Sequence, residues 1–531
     1  MGQRHGLHLQ AKRAGCNVTN RKNGFTGRRV ERLIIPSARP HMPLKLLSVP
    51  GILLAAATLS AQTPAAIPAP ASCTENLRAL ASKTYEDYAG FRLEVKGEKK
   101  QRYDRMLSDL ERRAAATSSS GCLAVLRDYI AWFEDPHLFL YQNSTIDSAE
   151  IARRAQSVRV INTSETKARS YFITGKRSLD PIEGIWYDRD LRVAIMKDPA
   201  SPKSFVAAVL RSDTAGWPVG SVRATFTKDS RGRYLAEIAL PNHDVQTRDA
   251  AIYKRTILRI APTMWAKEFP VEKGDSGYMA TGNPREPTLV ARGRTVIVSI
   301  PSHDPSYKGI LDSLVTAHRS DLMSAERIII DVRGNEGGGS QMTSSLHPYI
   351  ATRDKRASPF STDFGSSVML SSPSQIRYAR RAFGSDTSAF VKSLVQRMEA
   401  QPGQFVQIRD PALPPEAEEP DSVIEGNWKV GVLVDGGTVS AAEVLVLTAL
   451  RSKRATVFGE PTEGALDYQS TSIVWFSPNE RRWALGYPTI TAHAKLPAGG
   501  MRGKGIAPDV RLDLSKLADP ISTVERLLSK E

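Results

Sequence analysis

The stretch Val430-Gly-Val-Leu-Val-Asp-Gly-Gly-Thr-Val-Ser440-Ala-Ala-Glu443 decides how this chain folds. Its apolar run predicts a buried strand, its glycine pair predicts a turn, and the residues after them predict a helix that begins near Ser440. Unpaired amides and the positive dipole end at a helix N-terminus can stabilise an oxyanion. The stretch therefore places Ser440 either as a nucleophile or as a helix-capping serine without chemistry.

A second stretch, Arg327-Ile-Ile-Ile-Asp-Val-Arg-Gly-Asn-Glu-Gly337-Gly338-Gly339-Ser340, is an apolar strand that leads into a glycine cluster. Glycines tolerate positive φ and let backbone amides point outward. The phosphate-loop spacing G-x-x-x-x-G-K-[ST] and the dinucleotide spacing G-x-G-x-x-G are both missing from it. The cluster is therefore interpreted as an oxyanion-binding loop.

With Gly459-Glu-Pro-Thr-Glu-Gly464 and Gly505-Ile-Ala-Pro-Asp509 in the expected order, the two stretches resemble the C-terminal processing peptidase family. Its members are also called tail-specific proteases, and their core is shared with the tricorn protease. The resemblance covers roughly residues 285–512.

By this resemblance Ser440 is the nucleophile. The backbone amides of Ala441 and of Gly337 or Gly338 would form the oxyanion hole. No cofactor is implied.

The expected base is His137. The turn Asp135-Pro136-His137 follows a predicted helix, which ends there because the residue before proline disfavours helical geometry. It resembles the Asp-x-His turn of family members that use serine and histidine. The alternative is a histidine that caps a helix C-terminus. In the Ser-Lys branch of the family a lysine follows the last glycine of G-E-x-T-x-G, but here that position is Ala465.

The acid that would orient His137 is not selected by the sequence. The tricorn-like branch has a glutamate three residues before Gly505, where this chain has Arg502. Asp135, Glu463 and Asp467 are the possible orienting acids, and this departure leaves room for a weakened homologue.

The other histidines after the predicted leader stand in no matching motif, and are expected at the surface or in support of the site. They are His243, His303, His318, His347 and His493.

Composition excludes several classes. The chain has 531 residues, of which 41% are hydrophobic and 24% are charged, as in ordinary globular proteins. Its net charge of +16 is concentrated at the start: without the ten basic residues and one acid of residues 1–61, 62 Lys/Arg face 55 Asp/Glu. No basic run is interleaved with aromatics, so no nucleic-acid partner is expected.

The first 72 residues predict export. Residues 42–61 have a basic start, an apolar run too short to span a bilayer and a small-residue end, typical of a secretory signal peptide. Residues 1–41 lack apolar periodicity and are interpreted as a non-structural extension, whereas residues 62–72 form a Pro/Ala-rich linker. A secreted or periplasmic protein without a stable membrane span is expected.

Two cysteines would remain in the mature chain, Cys73 and Cys122, since Cys16 is lost with the leader. Cysteines of exported proteins usually pair, so a disulfide is predicted, with two inert thiols as the alternative. No C-x-x-C or H-E-x-x-H spacing occurs, which argues against a metal site.

The expected fold class is a multidomain α+β or α/β protein. Helical periodicity predicts an N-terminal helical domain over residues 73–145, and period-two alternation predicts an antiparallel β-rich module over residues 146–284. Alternating strands and helices predict a layered α/β catalytic core with a mixed sheet over residues 285–531. Gly403–Gly426, rich in Pro and Glu, is expected as a surface loop.

These observations predict an exported serine endopeptidase that acts on protein or peptide substrates through an acyl-enzyme on Ser440. The alternative is a non-catalytic peptide- or ligand-binding homologue on the same fold. Cleavage specificity and oligomeric state do not follow from the sequence.

Overall fold

The computed structural model describes residues 71–530 with internal gaps. The gaps are at residues 119–120, 143–147, 175–177, 190, 214–215, 230–232, 261–262, 272–282, 358–366, 383–387, 411, 413–421, 479–481 and 493–499. The predicted extension, the predicted signal peptide and residues 62–70 of the linker lie outside the described residues.

Four helices open the described chain, and a disulfide joins two of them. Cys73 and Cys122 are the first residues of the first and the fourth helix, with Cα atoms 5.3 Å apart. Ser72 caps the first helix, because its hydroxyl accepts from the Glu75 amide while the Glu75 carboxylate accepts from the Ser72 amide. The helices are α1 (Cys73–Asp87), α2 (Ala89–Glu94), α3 (Gly97–Ala115) and α4 (Cys122–Ala131).

An eight-stranded closed antiparallel barrel follows. Trp186, Phe226 and Trp265 fill its interior, because alternate residues of each strand point inward. Two helices precede it: α5 (Ser148–Gln156) and α6 (Glu165–Thr174). The strands are β2 (Gly184–Asp188), β3 (Leu191–Asp198), β4 (Ser201–Ser212), β5 (Val222–Lys228), β6 (Tyr234–Ala239), β7 (Val245–Tyr253), β8 (Ile257–Ile260) and β9 (Thr263–Phe269); β1 (Phe139–Gln142) precedes α5.

A six-stranded mixed sheet forms the centre of the catalytic core, in the order β10-β11-β12-β15-β16-β19. Only its first pair is antiparallel. Its strands are β10 (Thr288–Arg292), β11 (Thr295–Ser299), β12 (Arg327–Asp331), β15 (Lys429–Val434), β16 (Ala455–Gly459) and β19 (Val510–Arg511).

Helices cover both faces of this sheet. On β12, Ile328 and Ile330 pack towards one set of helices, and Ile329 packs towards the last helix. Such two-sided burial is typical of parallel strands. The helices are α7 (Lys308–Ala317), α8 (Arg319–Ser324), α9 (His347–Ile350) and α12 (Ala441–Leu450) on the first face and α13 (Pro520–Leu528) on the second.

A second, five-stranded sheet joins distant parts of the chain, and the sequence did not predict it. It has the order β1-β18-β13-β14, and β17 pairs with β18. Helices α1–α4 share a hydrophobic core with β17 and β18 instead of forming one of their own. Its later strands are β13 (Val368–Leu370), β14 (Phe405–Gln407), β17 (Tyr468–Trp475) and β18 (Trp483–Thr491). Between β13 and β14 the chain forms the helices α10 (Pro373–Ala382) and α11 (Ala389–Ala400).

The predicted fold class is confirmed in its three parts: helices, antiparallel barrel and layered core with a mixed sheet. The prediction of a surface loop over Gly403–Gly426 is wrong at its start, because β14 pairs there with β13 of the second sheet. None of the helices in the described part of the chain is long and apolar enough to cross a membrane.

We expect the double variant Cys73→Ala/Cys122→Ala to lose about 4 kcal/mol of unfolding free energy, because the disulfide closes a loop between residues 49 positions apart. Chemical denaturation of both proteins measures this. Titration of the denatured, unreduced wild type should find no free thiol; two thiols per chain would contradict the pairing.

Candidate active site

Ser440 lies in a strained turn between β15 and α12. Its φ of 57° and ψ of −115° are unusual for a residue with a side chain and cost of order 1–3 kcal/mol. Ser440 is the N-cap residue of α12, where the Glu443 carboxylate accepts from its amide, and Ser440 Oγ lies 3.1 Å from Nε2 of His137. The residue thus stands at the helix N-terminus with its hydroxyl beside an imidazole, which the nucleophile interpretation requires and the capping interpretation alone does not.

His137 reaches Ser440 from the turn that links α4 to β1. The Asp135 carboxylate shapes this turn, since Oδ1 accepts from the His137 amide at 2.9 Å and Oδ2 accepts from the Tyr88 hydroxyl at 2.7 Å. β1 then pairs with β18, Phe139 opposite Gly486. The position of the imidazole thus depends on the second sheet as well as on the helices.

Burial lowers the pKa of His137, whereas the Asp135 carboxylate and the backbone carbonyl of Tyr468 act in the opposite direction. The imidazole Nδ1 makes no hydrogen bond of normal geometry within the described residues. Asp135 thus acts on the ring by its charge, and the Tyr468 carbonyl is the polar group that faces the imidazole from the second sheet.

The other two acids considered from the sequence serve elsewhere. Asp467 accepts from the Met501 amide at 2.7 Å and from the Arg502 amide at 3.3 Å, and so fixes that loop. Burial raises the pKa of Glu463, and Arg259 lowers it. Of the three, Asp135 acts on His137.

Arg502 bonds to groups on the far side of the His137 turn from Ser440. Its guanidinium donates to Glu94 Oε2 at 2.6 Å and to the Phe133 carbonyl at 3.1 Å. The Glu94 carboxylate also accepts from the Tyr468 hydroxyl at 2.7 Å and from Lys99 at 2.6 Å. Arg502 therefore ties α2 to the end of α4 and to β17, the elements on either side of the His137 turn.

The glycine loop packs directly on Ser440. A Cβ on Gly337 would lie 2.8 Å from Cβ of Ser440, so only glycine fits there. The Gly337 amide donates to Asn335 Oδ1 at 2.9 Å and is thus engaged. The amides of Gly338 and Ala441 make no hydrogen bond to any described residue, which favours Gly338 over Gly337 as the second oxyanion donor.

Glu443 holds the backbone at Ser440, a role that the sequence did not predict. Its buried carboxylate accepts from the amides of Ser440 at 2.8 Å, Ala465 at 2.9 Å and Gly464 at 2.8 Å. It also accepts from the Thr462 hydroxyl at 2.6 Å. The spacing Ser-x-x-Glu at a helix start, typical of a capping box, was the signal that could have identified it.

Among the other histidines, His303 lies nearest to the glycine loop. It is fully buried, which lowers its pKa to about 4, and its carbonyl accepts from the Gly339 amide at 2.8 Å. His243 stacks on Trp217 and His318 bonds Asp321, so neither is part of the site. His347 lies 3.4 Å from the Thr343 hydroxyl, and His493 is outside the described residues.

Across the described ranges no cluster of metal-ligating side chains is found.

A serine and a histidine in contact at a helix N-terminus, beside two unpaired amides, have the arrangement of a serine-type peptidase. The model of peptidase family S41 matches residues 294–512. The match confirms the resemblance to the C-terminal processing peptidases over this part of the chain. The protein is accordingly a hydrolase of the serine peptidase class.

Several solved structures match most of this chain but have low sequence identity to it. A lipoprotein from Streptococcus agalactiae is 11% identical, with a TM-score of 0.36, over 87% of this chain and 98% of that one. Mature CPAF is 12% identical, with a TM-score of 0.39, over 83% and 93%. The tricorn protease is 10% identical, with a TM-score of 0.35, over 86% and 37%. No curated protein matches the chain significantly.

We expect Arg502→Glu to be more damaging than Arg502→Met. Both remove the pair with Glu94, but the glutamate adds like-charge repulsion, so its loss of unfolding free energy should reach roughly 3 kcal/mol or more. Chemical denaturation and peptide hydrolysis of both variants measure this. Higher activity of Arg502→Glu than of Arg502→Met would instead show that a carboxylate at this position serves the histidine.

Proposed function

We propose that the protein is an exported serine endopeptidase with Ser440 as nucleophile and His137 as general base. The observation that carries the proposal is the 3.1 Å contact between Ser440 Oγ and His137 Nε2, two residues 303 positions apart. A hydroxyl becomes an effective nucleophile when such a base accepts its proton.

The acylation step follows from this contact. Nε2 accepts the hydroxyl proton while Oγ bonds to the substrate carbonyl carbon, whose oxygen becomes an oxyanion. The amides of Gly338 and Ala441 donate to that oxyanion. The tetrahedral intermediate then expels the amine, which takes the proton from the imidazolium, and an acyl-enzyme remains on Ser440. Water, deprotonated by His137, releases the acid product by the same route.

The imidazolium formed in this step needs negative charge nearby. The Asp135 carboxylate and the Tyr468 carbonyl supply it, since both raise the pKa of His137. Burial also raises the pKa of Asp135, while the Tyr88 hydroxyl, the His137 charge and Arg502 lower it. Tyr88 and Arg502 thus favour the ionised carboxylate.

The proposal includes export to a secreted or periplasmic location. It rests on the signal-peptide pattern of residues 42–61 and is supported by the bond between Cys73 and Cys122, since disulfides persist in oxidising compartments.

We expect Ser440→Ala and His137→Ala each to lower kcat by a factor of about 10³ or more, because the members of one catalytic unit are strongly non-additive. The assay is mass spectrometry of fragments from an unfolded protein substrate. His318→Ala is the matched control, since His318 bonds Asp321 on α8 and does not belong to the site. Full cleavage by His137→Ala would assign the base to another residue, and an inactive wild type would favour a binding protein.

We also expect the acid limb of kcat/KM to lie below about pH 6.5, the ordinary histidine pKa. Because burial lowers the pKa of His137, its imidazole stays unprotonated, and able to accept the serine proton, at lower pH. Asp135→Asn should move the limb further down, because the carboxylate raises that pKa. A pH profile of kcat/KM measures both, and an upward shift in the variant would contradict this assignment.

A further inference from the structure

The turn between barrel strands β7 and β8 reaches out of the barrel to the carboxyl ends of the core strands. Lys254 and Arg255 form its tip with φ of 52° and 58°, as in tight hairpin turns. The guanidinium of Arg255 donates to the Leu517 carbonyl, close to α13. The tip is therefore fixed against the core, and we call residues 253–256 the barrel tip.

Tyr253 of the barrel tip contacts both catalytic loops. A Cβ on Gly334 would lie 2.8 Å from Cβ of Tyr253, and a Cβ on Gly437 would lie 2.3 Å from its ring. Gly334 starts the loop with the oxyanion glycines, and Gly437 lies three residues before Ser440. Arg259 adds to the contact by donating to the Gly437 carbonyl at 3.1 Å and to the Tyr253 hydroxyl at 2.8 Å.

Lys254 enters the core beneath these loops. Its side chain is 2% exposed, and Nζ lies 3.2 Å from Asp331 Oδ2 at the end of β12. The same carboxylate accepts from Arg333, with Nε at 3.0 Å from Oδ1 and Nη2 at 2.9 Å from Oδ2. Two cations from different domains thus share one buried carboxylate at the base of the glycine loop.

Asp435 connects the two loops to each other. Its Oδ1 accepts from the Gly334 amide at 2.8 Å and from the Gly437 amide at 2.9 Å. Burial raises the pKa of Asp435, whereas its bonds from these amides and the charges of Arg333 and Lys254 lower it. Lys254 therefore favours the ionised form of the carboxylate that accepts from both loops.

We propose that Lys254 is a positioning residue for catalysis, through which the barrel tip holds the oxyanion loop and the Ser440 loop in register. The assignment of an effect on catalysis rests on the proposed peptidase function, whereas the ordering of the two loops does not. The barrel is on this view a part of the active-site framework.

The expected effect on kcat and KM follows from the step of the reaction in which the two loops act. An oxyanion hole binds the transition state more tightly than the substrate, so its displacement lowers kcat and spares KM. Loss of a structural contact elsewhere lowers the amount of folded protein and leaves both constants of the folded enzyme unchanged.

The test compares Lys254→Met with Lys267→Met in the full chain. Lys267 is a matched control: it lies on β9 and lines, together with Lys254, a cavity of about 850 Å³, but its ammonium donates to the Pro181 carbonyl at 2.6 Å, and Pro181 belongs to neither catalytic loop. Hydrogen exchange of the peptides over residues 333–340 and 435–440 reports loop order, and steady-state kinetics report catalysis.

We expect Lys254→Met to speed exchange in both peptides and to lower kcat by about 10-fold or more with KM within about 2-fold. Lys267→Met should leave exchange and both constants close to wild type. Unchanged exchange in Lys254→Met, or an equal effect of Lys267→Met, overturns the proposal. Faster exchange in Lys254→Met with an inactive wild type would support the ordering role while refuting the peptidase function.

Discussion

The contact between Ser440 Oγ and His137 Nε2 is the interaction on which the rest of the site depends, because its partners are 303 positions apart in the sequence. Its 3.1 Å length requires α4, the turn at Asp135 and β1 to be held against the catalytic core. The second sheet does this, since β1 pairs with β18 between segments more than 300 residues apart in sequence. The second sheet therefore helps to hold the two partners of this contact in place.

The charged groups near His137 differ from those that the resemblance to the tricorn-like branch implies. The tricorn-like pattern places a glutamate where this chain has Arg502, and Arg502 pairs with Glu94 from α2. The polar groups that act on the imidazole are the Asp135 carboxylate and the Tyr468 carbonyl. A carbonyl carries less charge than a carboxylate, so in the proposed mechanism Asp135 provides most of the stabilisation of the imidazolium. Burial raises the pKa of that carboxylate, and Tyr88 and Arg502 act in the opposite direction.

The sequence predicted the parts of the fold that local pattern controls. Strand, glycine turn and helix around Ser440 follow from periodicity, and the Asp135-Pro136-His137 turn follows from proline geometry. The second sheet could not be predicted, because pairing between β1 and β18 leaves no mark in either strand alone. The role of Arg502 could not be predicted either, because its partner Glu94 is 408 positions away in the sequence. A sequence also does not distinguish a buried charged residue from an exposed one.

The central claim, that His137 activates Ser440, is tested most directly by covalent labelling of the purified protein with a fluorophosphonate probe, followed by peptide mapping. Such probes react with activated serine hydroxyls and leave unactivated ones unmodified. The account predicts one adduct, on Ser440, in the wild type and a large loss of labelling in His137→Ala. An adduct on another serine, or labelling of Ser440 that persists undiminished in His137→Ala, would contradict it.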